Sequence, residues 1–200
     1  MLNEDQWERL SGNKHKIIAT AKHESGHWVI GRKLGFGVGG IILNARINHL
    51  NGCIWIEGIS SALPYRPIGT IQETKEYLEA RIIALYSGAL AESLIDAQVC
   101  LDRAKTLWDE TAWSDSAKAE ELLIALKNIA YPSDATNDEI LNNTSLLRTD
   151  LQSRASGLVE EHGDEIRGLS RKIWMHFLDT KNDHLELKVE QIEAWLEELI

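Results

Sequence analysis

The hydrophobic pattern divides the chain into stretches with different periods. Over residues 14–34, Ile17, Ile18, Ala21, Gly26, Val29 and Ile30 recur at helical rather than alternating spacing, and Gly35 stands where a left-handed residue closes a helix. Between 38 and 59 the character changes. Gly37, Gly39 and Gly40 disfavour helix, while Ile41, Ile42, Ile47, Ile54, Trp55 and Ile56 favour strand. Two or three short strands are expected there, with a hairpin connection over 48–52. Pro64 and Pro67 mark 60–69 as an exposed loop. Leu78, Ile82, Leu85, Leu90 and Leu94 then supply the buried side of a long helix over about 71–97. Ser114 is a good N-cap for a helix reaching about 129, which Tyr131-Pro132-Ser133 breaks. The remainder reads as helical: one helix over 137–161, a second over 164–178 and a short last one from 189, with Gly163 and residues 180–183 as breaks.

The expected fold is therefore mainly α (α+β). A small β-sheet lies between the first two long helices, and a helical bundle closes the carboxy-terminal part. One domain over 1–200 is expected, divided into an active-site part at about 14–130 and a helical part at about 134–200. There is no internal repeat, low-complexity tract or convincing linker.

Composition narrows the function classes. With 200 residues, 44% hydrophobic and 26% charged, the chain suits one globular domain rather than a fibrous or disordered one. Lys and Arg total 21 against 31 acids, a formal net charge of -10, and no basic run exists, which argues against nucleic-acid partners. Cys53 and Cys100 form no CxxC pair and are too few for a disulfide scaffold. The longest uncharged runs, 34–45 and 82–91, fall short of the roughly 18 apolar residues of a membrane span. The first five residues lack the basic start and apolar stretch of a leader. A reduced, cytoplasmic, soluble protein without a membrane span is expected.

His23-Glu24-Ser25-Gly26-His27 is an HExxH motif inside the first helix. Residues i and i+4 lie on one helix face, so both imidazoles can reach one metal ion. Glu24 is offset by about 100° around the helix, beside the metal, where it can take a proton from water. Ala19, Ala21 and Gly26 keep this helix slim. On the residues alone, an amphipathic helix with two solvated histidines stays open, and Asp115 reads as an ordinary acid in the first turn of a helix.

Residues 21–27 resemble the HEAGH helix of the FtsH-type zinc peptidases, the protease half of the membrane-bound AAA proteases. The likeness continues downstream. Asn51-Gly52-Cys53-Ile54-Trp55-Ile56 falls where that family has a strand beginning Leu-Gly-Tyr. Residues 81–95, from Arg81 through Ser87-Gly88 and Glu92 to Ile95, resemble its RIAVLLGGRAAEELI helix. Ser114-Asp115 followed by Ala119 resembles its SNDL segment, and Val189-Glu190-Gln191-Ile192-Glu193 its closing helix. The resemblance covers about 14–200. Ser25 replaces Ala, Ser87 replaces Gly, Leu90 replaces Ala, and Trp113-Ser114 replaces Ser-Asn. The family's ATPase module and membrane helices have no counterpart, and no GxxxxGK[ST] run exists.

The resemblance implies zinc as cofactor, held by His23, His27 and Asp115, with Glu24 as general base and Glu92 holding a ligand histidine by its ring N–H. It implies a zinc endopeptidase, a hydrolase acting on unfolded or extended polypeptides and independent of ATP on its own. The substrate would lie along the strand carrying Gly52, Cys53, Ile54 and Trp55. The seven tryptophans read mostly as core anchors, with Trp55 and Trp113 able to flank the cleft. A polypeptide is the expected partner, and there is room for a separate ATPase or self-association. The alternative is a non-catalytic or regulatory metal-binding protein on the same fold.

Overall fold

A computed structural model describes residues 3–48, 53–133 and 136–199. Helix α1 (Glu4–Gly12) has few apolar residues and buries only Leu10. It is fixed instead by a capping box in which Asn3 and Gln6 each accept from the other's backbone N–H. Helix α2 (Lys14–Lys33) follows directly and ends at Gly35, whose φ of 80° requires glycine.

Strands β1 (Gly37–Ile47) and β2 (Ile54–Leu63) pair antiparallel. The expected short strands are thus two long ones, and β2 runs into the segment read as loop. The residues of their connection, 49–52, lie outside the described residues. A third strand, β5 (His184–Leu187), was not anticipated. It pairs with β1 and gives the order β2-β1-β5. Its four residues alternate, with only Leu185 and Leu187 buried, too short a pattern to register in the sequence. Gly40 makes this addition sterically feasible, because a Cβ there would strike the Leu187 carbonyl.

Helix α3 (Ile71–Glu92) starts from the Thr70 cap and stops five residues before the expected end. The chain turns instead through a small hairpin, β3 (Leu94–Ile95) with β4 (Gln98–Val99), where Asp96 takes a positive φ of 54°. Helix α4 (Leu101–Glu110), also unanticipated, buries Ala104, Leu107 and Trp108. Helix α5 (Trp113–Ala130) is capped at Ala112 rather than Ser114, which falls inside the first turn. Helices α6 (Asn137–Glu161), α7 (Gly163–Thr180) and α8 (Val189–Glu197) complete the chain close to expectation. Gly163 and Thr180 lie inside α7 rather than in breaks, and the turn after it is made by Lys181 in the left-handed region.

The architecture is mainly helical with a small antiparallel sheet. Helix α2 sits at its centre, against α3, α7 and β2. It buries residues on several faces, among them Ile17, Ala21, Gly26, Trp28 and Ile30. The Trp28 indole donates to the Gly39 carbonyl at 2.8 Å and ties α2 to β1. One continuous hydrophobic cluster runs from Leu10 in α1 to Leu196 in α8. Among the described residues, no helix is long and apolar enough to cross a membrane.

Candidate metal centre

Helix geometry places His23 and His27 one turn apart, and their Nε2 atoms lie 3.1 Å from each other. The third residue of α5 meets them there. Asp115 Oδ2 is 3.1 Å from His27 Nε2 and 3.3 Å from His23 Nε2. Asp115 reaches this point from 88 residues beyond His27, and its carboxylate sits favourably at a helix N-terminus. Among the described residues these three form the one group able to hold a metal ion.

The donor set fits such an ion. Bonds of about 2.0–2.1 Å in a tetrahedron put neighbouring donors roughly 3.3 Å apart, close to the observed triangle. Orientation agrees. His27 Nδ1 lies 2.7 Å from the Ala84 carbonyl, so Nδ1 carries the proton and donates, leaving the Nε2 lone pair for a metal. His23 Nδ1 faces Glu92 Oε2 at 3.6 Å, an ion-pair separation rather than a direct hydrogen bond. Space is reserved as well. A Cβ at Gly88 of α3 would press on Nε2 of both histidines.

Close helix packing creates this arrangement. A Cβ at Gly26 would lie 2.5 Å from the Ala91 Cβ and 2.6 Å from the Ser87 carbonyl oxygen, so α2 and α3 touch backbone to backbone. That contact brings Ala84, Gly88 and Glu92 to the histidine face of α2.

Charge is concentrated here. Burial pushes the His23 imidazole down, but the carboxylates of Asp115, in hydrogen-bond reach, and Glu92, at ion-pair separation, outweigh this and hold its pKa up at about 10. Burial pushes Asp115 up, and the two histidines overcome it, holding the carboxyl well below the usual range. A metal bound here would need the lone pairs of both Nε2 atoms and an ionised carboxylate, so protons compete with it for the site.

Glu24 is buried beside these groups. Burial raises its pKa against the pull of His23 and His27 and of the Ser60 N–H that it accepts from. It packs on Gly58 of β2, where a Cβ would run into its carboxylate, 2.7 Å from Cδ.

A cleft of about 440 Å³ opens over His23, Glu24 and Asp115, with β2 as one wall. The Asn48 N–H bonds to the Cys53 carbonyl, which fixes the alternation of the ladder. Ile54, Ile56 and Gly58 consequently turn their backbone groups away from β1, toward an edge that no other strand covers among the described residues. Lys16 Nζ takes the Ile54 carbonyl at 2.9 Å.

Of the expected substrate strand, Ile54 and Trp55 line the cleft, Cys53 is exposed with its carbonyl accepting from the Asn48 N–H, and Gly52 lies outside the described residues. The cleft wall continues through Ile56, Glu57 and Gly58. Trp113 is exposed and lies outside the cleft lining.

Sequence reasoning passed over Lys16, Gly58 and Gly88. The glycines did carry a signal, since a glycine inside a helix or strand costs about 0.5–1 kcal/mol and calls for a steric reason. No protein-family model matches this chain, and no curated protein matches it.

Proposed function

We propose that the protein is a zinc-dependent endopeptidase that hydrolyses unfolded or extended polypeptides. The observation that carries this reading is the convergence of Asp115 with the two histidines beside a buried Glu24 on the wall of an open cleft. The resemblance to FtsH-type zinc peptidases, which names the same four residues, adds to it. Two imidazoles and one carboxylate are the donor set of catalytic zinc and leave a fourth position for water.

His23, His27 and Asp115 would hold the ion, and Ala84 and Glu92 orient the imidazoles from behind. When bound, the metal supplies a Lewis acid that makes water and a peptide carbonyl more reactive. Glu24 accepts the proton of the attacking water at its carboxylate and returns it to the departing amine nitrogen. The carboxyl's raised pKa brings it closer to neutrality, where a base can both take and return a proton. The substrate backbone pairs with Ile56 and Gly58 at the open edge of β2, a mode that reads little sequence. Folded domains hide their backbone, and opening one costs on the order of 5–15 kcal/mol. Short peptides and unfolded chains are therefore the substrates of the isolated chain, with no response to ATP.

Metal analysis and cleavage of an unfolded casein-type substrate, for wild type and Glu24→Gln, test the reading together. Glu24→Gln should keep its zinc and lose hydrolysis by about 100-fold or more, because an amide accepts no proton. Undiminished hydrolysis in Glu24→Gln rejects the mechanism. A zinc-loaded wild type that cuts nothing favours a non-catalytic metal-binding protein.

A further inference from the structure

A second recess, of about 130 Å³, adjoins the triangle along its His27–Asp115 side, whereas the cleft adjoins it along the His23–Asp115 side. Its walls include Ser60, Arg81 and Lys118. We propose that this recess binds a carboxylate of the substrate next to the scissile bond, so that the enzyme prefers polypeptides with an acidic residue or a chain terminus there. This rests on the peptidase reading.

Three observations on different elements carry it. First, Arg81 of α3 has no carboxylate within ion-pair distance among the described residues; its guanidinium stands over the Phe36 ring, 5.9 Å from the centroid. Five of the ten arginines, Arg32, Arg46, Arg148, Arg154 and Arg167, pair with acids, whereas Arg81 stands at a recess beside the triangle with its head uncommitted. An unpaired guanidinium at the rim of the site presents a fork of donors to a ligand.

Second, Lys118 of α5 lies 3.8 Å from Asp115 Oδ1. Once Asp115 serves a metal, its charge is committed there and Lys118 adds to a net positive recess. Third, the Ser60 hydroxyl of β2 is shut off from solvent and has no hydrogen-bond partner among the described residues. Ser60 lines the same recess as Arg81 and Lys118, and a hydroxyl left without a partner in that wall is a donor that a carboxylate oxygen would satisfy.

Recognition of this kind discriminates, because a neutral isostere leaves the Arg81 fork without an opposite charge. The test measures binding rather than turnover. Zinc-loaded Glu24→Gln protein is titrated into fluorescent hexapeptides with amidated ends, identical except for Glu, Gln or Lys at the central position. A further arm uses a shortened peptide ending in a free carboxylate. Zinc content is measured on every sample.

The Glu peptide or the free-terminus peptide should bind at least about 10-fold tighter than the Gln peptide, and the two arms tell an internal acid from a chain end. Adding Arg81→Met should bring the ratio near one, and Arg81→Glu should turn the preference toward Lys, which a merely structural arginine would not do. Equal binding of all peptides, unmoved by either Arg81 change, overturns the acidic subsite and leaves the peptidase reading standing. Failure of every peptide to bind zinc-loaded protein, together with an inactive wild type, sinks both.

Discussion

Helix α2 meets α3 and α7 through two different kinds of contact. Against α3 the side chains are small: Gly26 faces Ser87 and Ala91, and Gly88 sits beneath the histidines. Against α7 they are large, with Leu169, Ile173 and Phe177 of that helix fully buried. The first contact brings backbones together and leaves room for polar groups, and the second removes a large apolar area from water. Stability and chemistry are therefore assigned to different faces of one helix. A protein built this way should lose one without losing the other.

The largest effect is expected on the apolar side. Phe177→Ala should cost about 3–5 kcal/mol in denaturant unfolding, while the folded fraction binds metal as before. Metal affinity that falls in step with stability would break the division. On the small-residue side, Gly88→Ala should lower metal affinity by about 100-fold or more, roughly 2.7 kcal/mol, through the clash with both Nε2 atoms. Competition with a chelator measures this, and a variant that keeps full affinity shows that α3 yields more easily than its packing implies.

Next comes Glu92→Gln. The glutamate touches only the outer nitrogen of His23, and losing its charge should weaken metal binding about 10-fold. No change would leave Glu92 an ordinary helix acid. The smallest effect joins the apolar side to solvent. Glu165 of α7 accepts from Lys33 of α2 at 2.8 Å and contacts His162 at 3.0 Å. Burial pushes its carboxyl up, but Lys33 and His162 prevail and hold it below the ordinary 4.5.

A depressed carboxyl stabilises the fold fully above its unfolded pKa and loses that contribution as pH falls through the folded value. Glu165→Gln should therefore remove under about 1 kcal/mol near neutrality and almost nothing at low pH, read from unfolding midpoints below pH 4.5 and at pH 7. A difference that grows on acidification contradicts this sign.

What the sequence disclosed follows the range of the forces involved. The HExxH pair is a one-turn relation, and i,i+4 spacing alone puts both imidazoles on one face. The helices of the carboxy-terminal part were legible because Pro132 and Gly163 bracket long stretches of helix-favouring residues. Asp115 was reached only through a family likeness, since nothing local distinguishes a ligand from a dipole-stabilising acid. Helix α1 stayed hidden because side-chain caps rather than an apolar face secure it. The end of α3 was overrun because Leu94 continues the helical period while the backbone has already turned into β3. Strand β5 exists because β1 offers it a partner, a condition set by tertiary pairing.

Two groups that contact β2, at its start and at its seventh residue, also guard the molecule against itself. Lys16 occupies the Ile54 carbonyl and Glu24 the Ser60 N–H, so among the described residues Ile56 and Gly58 are what lies between on that edge. A full bare edge of ten residues would be a template for copy-to-copy zippering and fibre growth. The stretch between them, two outward-facing residues wide, is too short to support a lasting ladder of its own between two copies, and the Glu57–Arg46 pair beside it adds charge to the border. The strand can thus receive a guest chain briefly, held beside the histidines, and remain a poor seed for aggregation.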